Sequence, residues 1–89
     1  MRGWLITLVK ILSTEANLTT ADNISSAVVV RILNDSGNPA LITRADSEAN
    51  TIGTITCPNG AIMFLEKAST DTLASTQTVK ATSIAYTTG

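Results

Sequence analysis

The segment AVVVRILNDSGNPALITRAD, residues 27–46, decides the predicted fold class of this chain. Its first eight residues alternate as a β-strand does, and they place Val28, Val30 and Ile32 on one wholly apolar face. The following DSGNP is rich in turn-forming residues, and ALITRAD, residues 40–46, resumes the strand pattern. We therefore predict that these two strands pair as a β-hairpin.

A second hairpin is predicted downstream, after a polar loop at residues 47–50. The strand-like segments TIGTITC, residues 51–57, and AIMFLEK, residues 61–67, flank the tripeptide PNG, residues 58–60. Proline sets the φ angle of the second turn position, and Asn and Gly tolerate positive φ. This tripeptide therefore predicts a reversal of direction within a few residues.

The stretch KASTDTLAS then predicts a single helical turn. Ser69 or Thr70 can cap a turn over residues 70–74, and Asp71 lies in the first turn, where a negative charge is favourable. Leu73 is its one large apolar side chain, which we expect to point inward. We interpret this turn as a corner that carries the chain from one sheet to the other.

The two ends of the chain are also predicted to be strands. Residues 4–12 combine helical spacing of leucines with β-branched residues, and we interpret them as a strand. Residues 13–26 form a polar connection with a short strand near Leu18. Residues 79–87 alternate again and predict the closing strand.

Together these elements predict an all-β protein. Six strands with short turns and no credible long helix are typical of a small antiparallel β-sandwich or barrel, Ig-like or jelly-roll-like, here with one short helical corner turn near residues 70–75. The 15 Thr and 8 Ser among 89 residues fit this class, because Thr favours strands and Ser favours turns. We divide the chain into an N-terminal arm or first strand, residues 1–12, and a single β-sandwich domain, residues 13–89.

Length and charge limit the possible partners. A chain of 89 residues forms one domain with a thin core, and its one cysteine, Cys57, cannot form an intramolecular disulfide. We therefore expect a neighbouring subunit to stabilise it, in a homo-oligomer or multi-copy assembly. The net charge of -1 comes from scattered charges, so no nucleic-acid partner is predicted. Lys10 interrupts the first apolar run well short of the roughly 20 residues of a membrane span, so we expect no membrane association or secretion signal.

The residues required by common enzyme mechanisms are absent from the sequence. With no histidine and one cysteine, we expect no enzymatic activity, no metal site and no cofactor. Cys57 is expected to be an inert, partly buried thiol beside a turn. Asp46 and Glu48 lie two residues apart in a loop, which favours solvated carboxylates over a calcium site, since calcium requires more oxygen ligands.

The N-terminus contains the candidate interface residues. Trp4 is the only tryptophan and lies close to Arg2, and both residue types are enriched at protein interfaces. We therefore predict that Arg2, Trp4, Leu5 and Ile6 anchor the chain to a neighbour. The alternative is that this segment is a plain edge strand of the same domain.

The sequence also resembles a known group of proteins. ILSTEANLTTADNISSAVVVRILNDSG, ITRAD, TIGTITCPNGAIMFLEKASTDTLAS and VKATSIAYT occur in this order. Across residues 10–87 the chain resembles small β-rich virion structural proteins of tailed phages, particularly those of marine or cyanobacterial hosts. The most specific part of the likeness is Lys67, TDTL at residues 70–73 and AYT at residues 85–87. The likeness supplies no catalytic residues.

The resemblance implies a virion protein, made in the host cytoplasm and located on the capsid surface. Its function would be that of a capsid decoration or cement protein that binds the major capsid protein or other virion subunits. A tail or neck adaptor is one alternative, and a module that binds host-surface glycans is another. The glycan alternative would need exposed aromatic rings, whereas we expect Phe64 and Tyr86 in core strands.

Overall fold

The structure of the chain, a computed structural model, describes residues 7–88. It consists of eight β-strands: β1 Thr7–Ile11, β2 Ala16–Leu18, β3 Val29–Leu33, β4 Ala40–Ala45, β5 Thr51–Cys57, β6 Ile62–Glu66, β7 Thr72–Ser75 and β8 Val79–Thr88. Residues 7–88 contain no helix and therefore none that could cross a membrane.

The strands form two antiparallel sheets. One has five strands, in the order β1-β8-β3-β6, with β2 paired to β8 beside β1. The other has three strands in the order β5-β4-β7. The predicted all-β class and antiparallel sandwich are confirmed.

Both predicted hairpins are wrong, because in each case the two strands belong to different sheets. β3 pairs with β6 and β8, whereas β4 pairs with β5 and β7. The connections β3–β4 and β5–β6 are therefore arches that cross the sandwich. The observed hairpin is β4–β5, closed by the loop at residues 46–50, where the carboxylate of Asp46 accepts the backbone N–H groups of Glu48 and Asn50 at 2.9 Å each.

Buried Asn34 explains why the turn sequences form arches. Its side-chain amide donates to the carbonyl groups of Asn38 at 2.8 Å and Cys57 at 2.9 Å, so it ties the first arch to the second. Its backbone carbonyl accepts the N–H of Gly60 at 2.7 Å. These bonds satisfy the polar groups of both connections, which a hairpin would have satisfied through its own ladder.

The helical turn predicted over residues 70–74 is also wrong. The backbone N–H of Asp71 donates to the carbonyl of Ala68 at 3.0 Å, which closes one β-turn, and β7 begins directly after it. The segment is extended despite its local capping signal, because β7 pairs with β4 and Leu73 exchanges two backbone hydrogen bonds with Asp22. The turn does carry the chain from the five-stranded to the three-stranded sheet, as predicted, and Leu73 is buried.

The remaining strand predictions are confirmed within the described residues. β1 lies inside the segment interpreted as the first strand, Leu18 ends β2, and β8 covers the predicted closing strand.

The core between the sheets consists of small and medium aliphatic side chains. Val30 and Ile32 of β3 are fully buried, as the alternation in the sequence predicts, but Val28 is exposed. The other buried core residues are Leu18, Ile24, Ala27, Ala40, Ile42, Cys57, Leu73, Val79 and Ala81. Within residues 7–86 no aromatic side chain is buried, since Phe64 and Tyr86 are both exposed.

Candidate interaction surfaces

The outer surface of the five-stranded sheet is apolar. Arg31 alternates with the buried Val30 and Ile32, so Arg31 and its register neighbours Phe64 and Thr82 face away from the core. On this side the sheet exposes five large apolar side chains, between 44% and 75% of each being accessible: Val9, Ile11, Ile62, Phe64 and Tyr86. We call these five residues the apolar face.

Side chains on this outer surface partly cover one another. Ile84 lies on the same side of β8 as Tyr86, yet it is only 3% exposed. The rings of Phe64 and Tyr86 meet edge to face, with centroids 5.7 Å apart and an angle of 61° between the planes. Both aromatic residues are in strands, but the expectation that they belong to the core is wrong.

Charged side chains on this surface are paired or lie at its margins. Arg31 forms an ion pair with Glu15 at 3.2 Å, and Lys80 donates to the side-chain oxygen of Asn17 at 2.6 Å. Glu66 is exposed at the end of β6. Arg31 lies on the interior strand β3 beside Phe64, so the apolar side chains of this surface flank a paired charge.

The second candidate surface is the free edge of β5. The backbone of Leu41 bonds toward β7, donating to Thr76 Oγ1 at 3.0 Å and accepting the Thr76 N–H at 3.1 Å. Because strand residues alternate in the direction of their backbone groups, the residues on either side of Leu41 face β5. Given the β4–β5 register, the N–H and C=O groups of Thr54 and Thr56 then point away from the sheet, whereas Ile52 lies at an irregularity where the register shifts by one residue. We call β5 the open edge.

A groove separates the open edge from β6 of the other sheet. Its volume is about 220 Å³, and five apolar side chains contribute to its lining: Ile42, Ile52, Ile55, Leu65 and Leu73. Arg44 and Glu66 supply one charge of each sign. We call this space the side groove.

An ionic network of buried Asp71 and Lys67 with partly exposed Arg44 lies at the corner between β6 and β7. One carboxylate oxygen of Asp71 accepts Nε and Nη2 of Arg44 at 2.9 and 2.6 Å and the N–H of Ala68 at 3.2 Å. The bond from Arg44 lowers the pKa of Asp71. Lys67, only 2% exposed, donates to the carbonyl groups of Ala27 and Ala68 at 2.5 and 3.3 Å. Burial lowers the pKa of Lys67, and the charge of Asp71 opposes this effect.

Every charged group of this network has hydrogen-bond partners, so we interpret it as structural. Cys57 also fits a structural role, because it is buried and burial raises its pKa, which disfavours the nucleophilic thiolate. The thiol is more deeply buried than predicted.

Of the two carboxylates considered as a cation site, that of Asp46 accepts hydrogen bonds from the β4–β5 loop. The backbone N–H of Asn50 lowers the pKa of Asp46, and this bond fixes the carboxylate against its own loop. The part of the chain that the structure describes contains no group of three or more His, Cys, Asp or Glu side chains that could hold a metal ion.

The predicted anchor residues Arg2, Trp4, Leu5 and Ile6 lie outside the described residues. Sequence reasoning missed the apolar face, although a signal for it exists. TLVKI and IMFLE place apolar residues at both odd and even positions, and a strand in a two-layer sandwich buries only one side.

Comparison with models of known protein families, with curated proteins and with solved structures found no match.

Proposed function

We propose that this chain is a non-enzymatic phage virion structural protein, and specifically a capsid decoration or cement protein that stabilises the major capsid lattice. The apolar face is the observation that supports a binding function. The location in a virion and the binding to a capsid are inferred from the sequence resemblance. A β-sandwich with a thin core and an uncovered apolar face is compatible with that inference.

The apolar face has the composition expected of a docking surface. Phe64 and Tyr86 supply two aromatic rings to it, and aromatic residues are enriched among those that dominate binding energy. Soluble monomers rarely expose contiguous apolar patches larger than a few hundred Å². Contact with a capsid subunit would remove this surface from water and stabilise the folded chain by mass action.

The predicted anchor belongs to the same proposal. Arg2, Trp4, Leu5 and Ile6 directly precede β1 in the sequence, and β1 contributes Val9 and Ile11 to the apolar face. Because β1 pairs with β8 in the sheet, an arm deletion must stop before Thr7. We expect deletion of residues 2–6 to reduce incorporation into particles while β1 remains in place.

The test is occupancy on particles of the phage that encodes the chain, measured by quantitative mass spectrometry against the major capsid protein. We expect on the order of hundreds of copies per particle, as a capsid lattice requires, whereas a tail or neck ring would give about a dozen or fewer. Phe64→Lys should lower occupancy strongly. Leu41→Lys is the matched control, because Leu41 is an exposed apolar residue on the outer side of the other sheet. Absence from particles, or full occupancy by Phe64→Lys, would contradict the proposal.

A glycan-binding module on the virion is a second candidate, and the exposed Phe64–Tyr86 pair favours it. Exposed rings can stack on the faces of sugar rings. A glycan array probed with the purified protein tests it. Binding that Phe64→Ala abolishes and Leu41→Ala preserves would support this candidate, and an array without signal would exclude it.

A further inference from the structure

We propose that two copies of this chain pair through β5 in antiparallel orientation, with Thr54 on a twofold axis, so that two three-stranded sheets become one sheet of six strands. This inference goes beyond the proposed function, which specifies no contact between copies.

The backbone of the open edge limits the possible registers. The groups of Thr54 and Thr56 point outward, and a twofold axis at Thr54 places Thr54 opposite its equivalent and Ile52, at the register irregularity, opposite Thr56 of the second copy. The N–H and C=O of Thr54 then pair with those of its equivalent. A register shifted by one residue would place outward groups opposite residues whose groups face β4.

The side chains are complementary in this register. Gly53 lies opposite Ile55 of the second copy, on the inner side of the sheet. A Cβ added at Gly53 would meet no atom within 4 Å, so space is open beside it, and Ile55 is itself exposed. Since both residues line the side groove, Ile55 of each copy can cover the groove of the other.

Charge also favours a second copy as the occupant. Residues 51–57 contain no charged side chain, so self-pairing brings no like charges together along the strand. The two charges of the side groove, Arg44 and Glu66, have opposite signs.

The other edges within the described residues are protected against such pairing. β1 contains Lys10, β6 ends with Glu66, and β2 is only three residues long. β7 is covered by backbone bonds from Thr19 and Asp22. β5 is therefore the long, uncharged edge on which a strand can add.

The first experiment is sedimentation velocity of the full chain from about 1 μM to about 1 mM, the range in which interfaces of small area dissociate. We expect a concentration-dependent dimer. Thr54→Lys should be monomeric, because two lysines would face each other at the axis. Thr43→Lys is the matched control, since Thr43 is the register neighbour of Thr54 on β4, and it should dimerise like the original chain.

The second experiment tests the register by disulfide formation. Cα atoms of a directly opposed hydrogen-bonded pair are about 5.5 Å apart, a distance that a disulfide spans. Thr54→Cys should therefore form a covalent dimer under mild oxidation. Thr43→Cys should not, because three strand spacings, about 14 Å, would separate its two copies. Cys57 is buried and should not interfere.

The outcomes separate this inference from the proposed function. A chain that is monomeric at every concentration, a Thr54→Lys variant that still dimerises, or equal cross-linking at positions 43 and 54 would overturn the β5 pairing. A monomer that nevertheless occupies particles would leave the proposed function intact. A chain that forms the β5 dimer but is absent from particles would contradict the proposed function and leave the β5 pairing intact.

Discussion

The two edges of the three-stranded sheet differ in whether their outward backbone groups are paired. On the β7 edge, Leu73 exchanges backbone bonds of 3.0 and 2.9 Å with Asp22, and the N–H of Ser75 donates to Thr19 at 2.9 Å. On the β5 edge, within the described residues, no strand or loop pairs with the outward groups. β5 and β7 both pair with β4, so the difference in edge pairing depends on the segments that lie outside this sheet. The polar connection after β2 protects one edge, and the other remains available to a partner.

The largest expected effect comes from the covered side. Leu73→Ala should lower the free energy of unfolding by about 2–5 kcal/mol, because Leu73 is buried in the core and its truncation leaves a cavity there. Urea unfolding at low protein concentration measures this loss. Ile55→Ala, on the inner side of the open edge, is the control and should cost clearly less. Equal losses would contradict the distinction between the two sides.

Asn34→Ala tests the tie between the two arches. Removing the side chain takes a donor from the carbonyl of buried Cys57, whereas the exposed Asn38 carbonyl keeps the Ser36 hydroxyl as a donor. Buried polar groups left unpaired cost about 1–3 kcal/mol. Asn38→Ala is the control, because Asn38 is exposed and uses only its backbone carbonyl in these bonds. A loss no larger than that of Asn38→Ala in urea unfolding would show that the arches do not depend on Asn34.

The Arg44–Asp71 pair should make stability depend on pH. The folded state lowers the pKa of Asp71, so its contribution is present above the unfolded value of about 3.9 and is lost as the pH falls through the folded pKa. Asp71→Asn should therefore be less stable than the original chain at pH 6, with the difference shrinking in acid. Urea unfolding between about pH 2.5 and pH 6 checks this. A difference that stays constant over the range would contradict it.

The smallest effect is expected at the open edge. Ile52→Thr should change the free energy of unfolding by less than about 0.5 kcal/mol, because Ile52 is exposed and both residues are β-branched. The measurement must be made at a concentration where the chain is monomeric. A larger loss would mean that the folded monomer already depends on this edge.

Alternation predicted the strands, but it could not predict their partners. The period of two in AVVVRILN predicts the burial of Val30 and Ile32 whichever strand lies beside it, although Val28 is exposed. DSGNP and PNG reverse the chain equally well in a hairpin and in an arch, since both need turn residues. The distinction depends on Asn34, whose side chain bonds residues on both connections, and no local pattern reports such bonds.

The interaction surfaces were less predictable for the same reason. An open edge is defined by the strand that is missing beside it, so locating it requires the order β5-β4-β7. The apolar face could have been predicted from the sequence, because a two-layer sandwich cannot bury both sides of TLVKI and IMFLE.

The position of β8 has a consequence for synthesis in the cell. It is the last strand of the described chain, and it pairs with β1, β2 and β3. Until the ribosome has produced β8, those three strands therefore lack the strand with which they all pair. Contacts so distant in sequence form slowly, and unpaired apolar strands favour aggregation in the interval. The five-stranded sheet therefore cannot be completed until β8 has been synthesised.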